Sequence, residues 1–123
     1  MSKILIIEDD SFLAAIFSKQ LEKGGFDVSV AGSGEDGLKL IEKDLPDLLV
    51  LDLVLPKING FEVLEKLKAE EGTKNLPVLI MSNLGQREDI DKCLALGAAD
   101  YLIKAHVTPD ELVNKAKGVL KKN

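Results

Sequence analysis

Asp52 stands in "DLLVLDLVLP" (47–56) among seven Leu and Val residues. An isolated ionised carboxylate in such surroundings is costly, and it either neutralises or finds a partner. Three more acids, Glu8, Asp9 and Asp10, close the apolar run "KILII". Ser82 and Asn83 follow "PVLIM", and Lys104 ends "ADYLIK". Carboxylates crowded together cannot all stay ionised without a cation. Oxygen-only ligands of this kind suit a hard divalent ion such as Mg²⁺, which keeps several waters and takes one or two carboxylates. Lys104 and the Ser82 hydroxyl add a positive charge and a donor. Carboxylate, metal, cation and hydroxyl together suit phosphoryl transfer by positioning and charge stabilisation. An aspartate held there can itself be the nucleophile and form an acyl phosphate.

That chemistry requires the four runs to end at one place, and the spacing of apolar residues says how. "KILIIE" (3–8), "LLVLD" (48–52), "PVLIMS" (77–82) and "ADYLIK" (99–104) are short and aliphatic, as strands buried on both faces are. "FDVSVA" (26–31) alternates instead, which marks a half-exposed edge strand. Between them lie helices with legible ends. Phe12, Leu13, Ile16, Phe17 and Leu21 recur at helical spacing over 11–23, and Gly24-Gly25 stops them. Ser33 caps a helix over 34–43, and Asn59 with Glu62 opens another that Gly72 ends. A fourth runs over 85–97 to Gly97. In "TPDE" (108–111), Thr108 caps, Pro109 takes the first helical position and Glu111 completes a capping box. Five β-α units predict an α/β fold: a doubly wound five-stranded parallel sheet, flavodoxin-like, with helices on both faces. With "FDVSVA" at an edge, the strand order is 2-1-3-4-5. The chain then reverses between strands 1 and 3, and ligands bind outside the strand carboxyl ends at that switch point. Glu8, Asp9 and Asp52 are therefore predicted to crowd together.

Length and charge narrow the function classes. The 123 residues suit one domain, 1–123, with no repeat or linker to divide it. A net charge of −5 argues against sequence-independent binding to nucleic acid. Cys93, the sole cysteine, has no partner for an internal disulfide and falls on the apolar side of its helix, so a packed, inert thiol is expected. "MSKILIIEDD" is neither a signal peptide nor a membrane span, which points to a cytoplasmic protein. His106, the one histidine, reads as a loop residue, and Asp10 reads as the cap of the first helix.

In order and at strand ends, "ILIIEDD", "LLVLDLVLPKINGFEVL", "PVLIMS" and "GAADYLIK" resemble the receiver domains of two-component response regulators, of the CheY-like fold. The resemblance runs from Lys3 to the last helix. It implies that Asp52 is the phospho-acceptor. It also implies that Asp9, Asp52 and the main-chain carbonyl of Val54 ligate Mg²⁺, with Glu8 acting through a bound water. Lys104 would contact the phosphoryl oxygens and Ser82 would be the switch hydroxyl. Tyr101 fits equally as the aromatic reporting that switch and as an ordinary half-buried edge residue. The implied protein is a phosphorylation-dependent switch rather than an enzyme, catalysing only its own phosphorylation and dephosphorylation. Its donor would be a histidine kinase or phosphotransfer protein docking on helix 1 (11–23). Its output would be protein–protein contact through the 85–121 face, as a monomer or a phosphorylation-dependent dimer, and a stand-alone receiver is expected.

Three positions depart from the family pattern. Asn83 replaces the usual Ala or Gly after the switch hydroxyl, and with Gln86 three residues later it reads as a helix cap in preference to a phosphoryl donor. Ala105 replaces the usual Pro after Lys104, which leaves a cis or a trans bond open. Val54 and Leu84 occupy the two positions that tune the attacking water in the family. Both are apolar, so autodephosphorylation is expected to be slow. Two other classes compete. A flavodoxin-type module would need a phosphate-cradling loop where this chain has "EDDSF", and an aspartyl phosphatase would need an acid where it has Val54.

Overall fold

A computed structural model describes residues 1–121; Lys122 and Asn123, the last two residues of the expected domain, lie outside the described residues. Five strands alternate with five helices: β1 (Lys3–Ile7), α1 (Ser11–Lys23), β2 (Asp27–Ala31), α2 (Gly34–Lys43), β3 (Leu48–Leu51), α3 (Gly60–Ala69), β4 (Val78–Ser82), α4 (Arg87–Ala95), β5 (Asp100–Ile103) and α5 (Pro109–Lys121). A 3₁₀ turn, Lys104–His106, follows β5. All strand pairs are parallel and the order is β2-β1-β3-β4-β5, as the alternation predicts.

The pleat divides each aliphatic run between two cores. Ile4, Ile6, Leu48, Val50, Leu79 and Met81 face α1 and α5, where Phe17, Leu21, Leu112 and Ala116 cover them. Leu5, Ile7, Leu49, Leu51, Val78 and Ile80 face the other way, against Ile41, Val63, Leu64 and Cys93 of α2, α3 and α4. Burial on both faces is why these strands read as continuous apolar runs rather than alternating ones.

Four of the predicted caps form. Asp10 accepts from Phe12 N and Leu13 N at 3.0 and 3.1 Å. Ser33 Oγ accepts from Asp36 N, and both capping boxes, Asn59 with Glu62 and Thr108 with Glu111, close in both directions. Three helix readings need correction. The buried face of α1 is Ala14, Phe17 and Leu21, while Phe12 is 73% and Ile16 38% exposed, because only one stripe of the helix meets the sheet. Helix α3 stops at Ala69 rather than running to Gly72. Past it, Thr73 Oγ1 donates to Leu67 O, and Lys68 Nζ donates to Lys74 O and Leu76 O, binding the segment into β4. Helix α4 is shorter than 85–97, with Gln86 at its N-cap and no side-chain cap.

Candidate functional site

The sheet register carries the site. Ile7 pairs with both Ala31 and Leu51, so Glu8 and Asp52 leave adjacent strands side by side. The ladder reaches one bond further at each exit, Glu8 N donating to Ala31 O and Asp52 N to Ile7 O, both at 3.1 Å. Ser82 pairs with Ile103, which puts Lys104 one residue past the level of Ser82. Gly60 then seats α3 against the same spot. A Cβ there would lie 2.2 Å from Asp52 O and 2.6 Å from Leu53 Cα, so only glycine lets the helix start this close to the backbone that leaves Asp52.

A cleft at these strand ends is lined by Glu8, Asp9, Asp52, Val54, Asn83 and Lys104, among others. Glu8 and Asp52 are buried, at 4% and 5% exposed, and Asp9 is exposed. Lys104 Nζ bonds Glu8 Oε1 and lies 3.0 Å from Asp52 Oδ2. The other Asp52 oxygen accepts from Val54 N at 3.3 Å, and Glu8 Oε2 accepts from Asp10 N at 3.0 Å. Burial pushes the Glu8 carboxyl above its ordinary range, with Lys104 opposing and the Asp52 charge adding to the rise. Burial alone would lower Lys104, but Glu8 and Asp52 outweigh it and hold the ammonium above its usual range. One lysine thus faces two buried carboxylates and a third acid at the rim, so the cleft is short of positive charge.

A divalent cation fits that shortage. One oxygen each from Glu8, Asp9 and Asp52 lies within 4.8 Å of the others, and the set is all hard oxygen. The acid cluster predicted from the sequence is therefore brought together, and Lys104 joins it directly.

The two expected switch residues sit to one side. Ser82 is fully buried and its Oγ accepts from Leu84 N at 3.3 Å. The Tyr101 hydroxyl donates to Leu84 O, and burial, followed by the negative groups around it, pushes its pKa up to about 12. Cys93 is fully buried, with its thiol raised to about 11 first by burial, as the expected inert packing requires. Asn83 does not cap α4: its Oδ1 accepts from Ala105 N at 2.9 Å instead. The Lys104–Ala105 bond is trans, as are all peptide bonds among the described residues. The sequence singled out Asn83 and Ala105 separately, but no local signal joins residues on different strands. The Lys104–Glu8 bond was missed for the same reason.

Fold and site together define a class: a doubly wound α/β protein whose charged chemistry lies outside the strand carboxyl ends at the topological switch point. Within it, the chain belongs to the response regulator receiver domain family, whose sequence model matches residues 4–117. The DNA-binding dual master transcriptional regulator RpaA of Synechocystis is 38% identical over 99% of this chain and 50% of its own length. The alkaline phosphatase synthesis transcriptional regulatory protein PhoP of Bacillus subtilis is 36% identical over 98% of this chain and 49% of its own. The chain thus spans about half the length of these curated relatives. Among solved structures, the receiver domain of the Francisella response regulator 1452 superposes with a TM-score of 0.92 at 31% identity, covering 99% of this chain and 98% of that one. The chemotaxis protein CheY4 of Vibrio cholerae gives 0.90 at 25% identity, covering 97% and 98%.

Proposed function

We propose that residues 1–123 work as one receiver domain, a cytoplasmic switch that takes a phosphoryl group onto Asp52 from a phosphohistidine. The observation that carries this reading is the Asp52 carboxylate, buried at the end of β3 with Lys104 Nζ 3.0 Å away and two more acids beside it. In the transfer, an Asp52 oxygen attacks phosphorus, the P–N bond of the donor breaks, and the imidazole leaves and takes up a proton. Val54 N–H and Lys104 orient the carboxylate, and Lys104 then has the charge to hold a phosphoryl oxygen as its bonds to Asp52 loosen. Asp9, Asp52 and the Val54 carbonyl, with Glu8 through a water, would hold Mg²⁺, which neutralises charge on the transferring group. The Ser82 hydroxyl would exchange Leu84 N–H for the new phosphoryl oxygens, and Tyr101, bonded to the same residue, would follow. The donor, a histidine kinase or phosphotransfer protein, would dock at α1, whose Phe12 and Ile16 are exposed. A downstream protein would read the 85–121 face. The only lasting chemistry is on the chain itself, so the protein is a switch rather than an enzyme with turnover.

Intact-mass measurement after acetyl phosphate and Mg²⁺ tests the acceptor. Wild type is expected to gain one phosphoryl group and Asp52→Asn none. An equal adduct on the variant would move the acceptor elsewhere. No wild-type adduct, with no beryllofluoride binding either, would overturn the reading.

A further inference from the structure

Lys104 reaches its two carboxylates on a flexible stem, so something must fix the backbone that aims it. β5 cannot do so alone. It is an edge strand that ends at Ile103, and Lys104 opens the 3₁₀ turn beyond the ladder. The first N–H groups of a helical turn have no partner inside it. Ile103, the residue at the cap position, supplies none. The Ala105 N–H finds its acceptor 22 residues back, at Asn83 Oδ1, 2.9 Å away. A proline at 105 would have no N–H to donate, and a small residue at 83 would have no oxygen to accept it. Each of the two residues has this use only in the presence of the other.

We propose that Asn83 is a positioning residue for Lys104, pinning the Lys104–His106 turn from the β4–α4 loop so that the ammonium stays seated between Glu8 and Asp52. The loop is itself held by Leu84, through Ser82 Oγ on one side and the Tyr101 hydroxyl on the other. The residue next to the switch hydroxyl therefore holds the turn that carries the site's cation. A shift of Ser82 toward Asp52 draws on the Asn83–Ala105 bond, so movement of the loop and placement of Lys104 are coupled. The proposal rests on the reading of Asp52 as acceptor only where phosphorylation is the readout.

Asn83 and Ala105 are both exposed, so truncating Asn83 leaves the cores untouched. With phosphoramidate as donor and Mg²⁺ saturating, Asn83→Ala is expected to take phosphate about tenfold more slowly than wild type, the scale of one hydrogen bond lost. In a Lys104→Ala background the same substitution is expected to change the rate by less than about twofold, because its route of action is gone. Equal rates for wild type and Asn83→Ala, or a full tenfold effect without Lys104, would overturn the proposal. Amide exchange and the Lys104 ammonium signal by NMR give a second arm that needs no phosphate. Asn83→Ala should speed exchange at Ala105 and shift the ammonium signal, while Asn83→Asp, which keeps the acceptor, should restore slow exchange. An unchanged Ala105 amide and ammonium signal in Asn83→Ala would overturn the proposal on their own. No phosphate uptake by wild type, together with both NMR changes in Asn83→Ala, would fail the acceptor reading and leave the positioning role supported.

Discussion

Val54 borders the cleft with an apolar side chain that is 58% exposed, directly beside the Asp52 carboxylate. Leu84 is part-buried and packs against the core beneath α2, α3 and α4. Neither side chain can hydrogen-bond a water in line with a phosphorylated Asp52, so hydrolysis has no positioned partner from either. Phosphate release from the purified phospho-protein should accordingly be slow, on a scale of minutes or longer. Val54→Asn should shorten the lifetime about tenfold, well short of the contribution of a full general base. A wild-type lifetime of seconds would sink the argument. At this scale the sequence was informative wherever a residue's type was the whole story. Asp10 as a cap and Cys93 as an inert thiol both followed from chemistry and local spacing. Asn83 did not, because an amide side chain has several possible uses and its partner lies 22 residues away.

Element ends show the same division. Caps made within four residues were legible: Ser33, Asn59 with Glu62, and Thr108 with Glu111 all act as their spacing predicts. Other ends were not, as the early stop of α3 and the late start of α4 show. The tie between β5 and the β4–α4 loop belongs here, because Tyr101 joins two elements. Its hydroxyl ionises near pH 10 in an unfolded chain and at about 12 in the folded one. The stability it contributes is therefore whole below pH ~10 and lost as pH rises through about 12. The chain has one tyrosine and no tryptophan, so tyrosinate absorbance reports this residue alone. The native midpoint should fall near 12, and in strong urea near 10. Coincident midpoints would mean that folding does not bury the hydroxyl.

At the scale of the whole molecule, the parallel sheet delivers four strand ends to one side, and what it delivers is a surplus of negative charge. Folding brings Glu8 and Asp52 out of water against a single lysine, a buried arrangement that is weakly stabilising at best. A cation that binds only the folded chain should raise stability by mass action. Mg²⁺ at about ten times its Kd should raise the melting temperature by about 5 °C, and chelation should reverse the gain. Asp9→Asn should remove most of the effect. A melting temperature indifferent to Mg²⁺ would show that the three oxygens do not form a metal site.

The sequence by itself determined the strands, the two-sided burial of β1, β3 and β4, the edge position of β2 and so the sheet order, because each follows from the period of apolar residues along a short stretch; β5, read as buried on both faces, is instead a half-buried edge strand. The sequence also determined which residue types stand at the strand ends. Only the tertiary structure decided how those residues divide their bonds. Lys104 is shared between Glu8 and Asp52, Ser82 is turned to Leu84 N–H, and Asn83 is spent on Ala105 rather than on α4. The physical reason is range. Periodicity and capping act over a turn or a pleat, whereas a side chain at a strand end chooses among partners that only the neighbouring strands bring within reach.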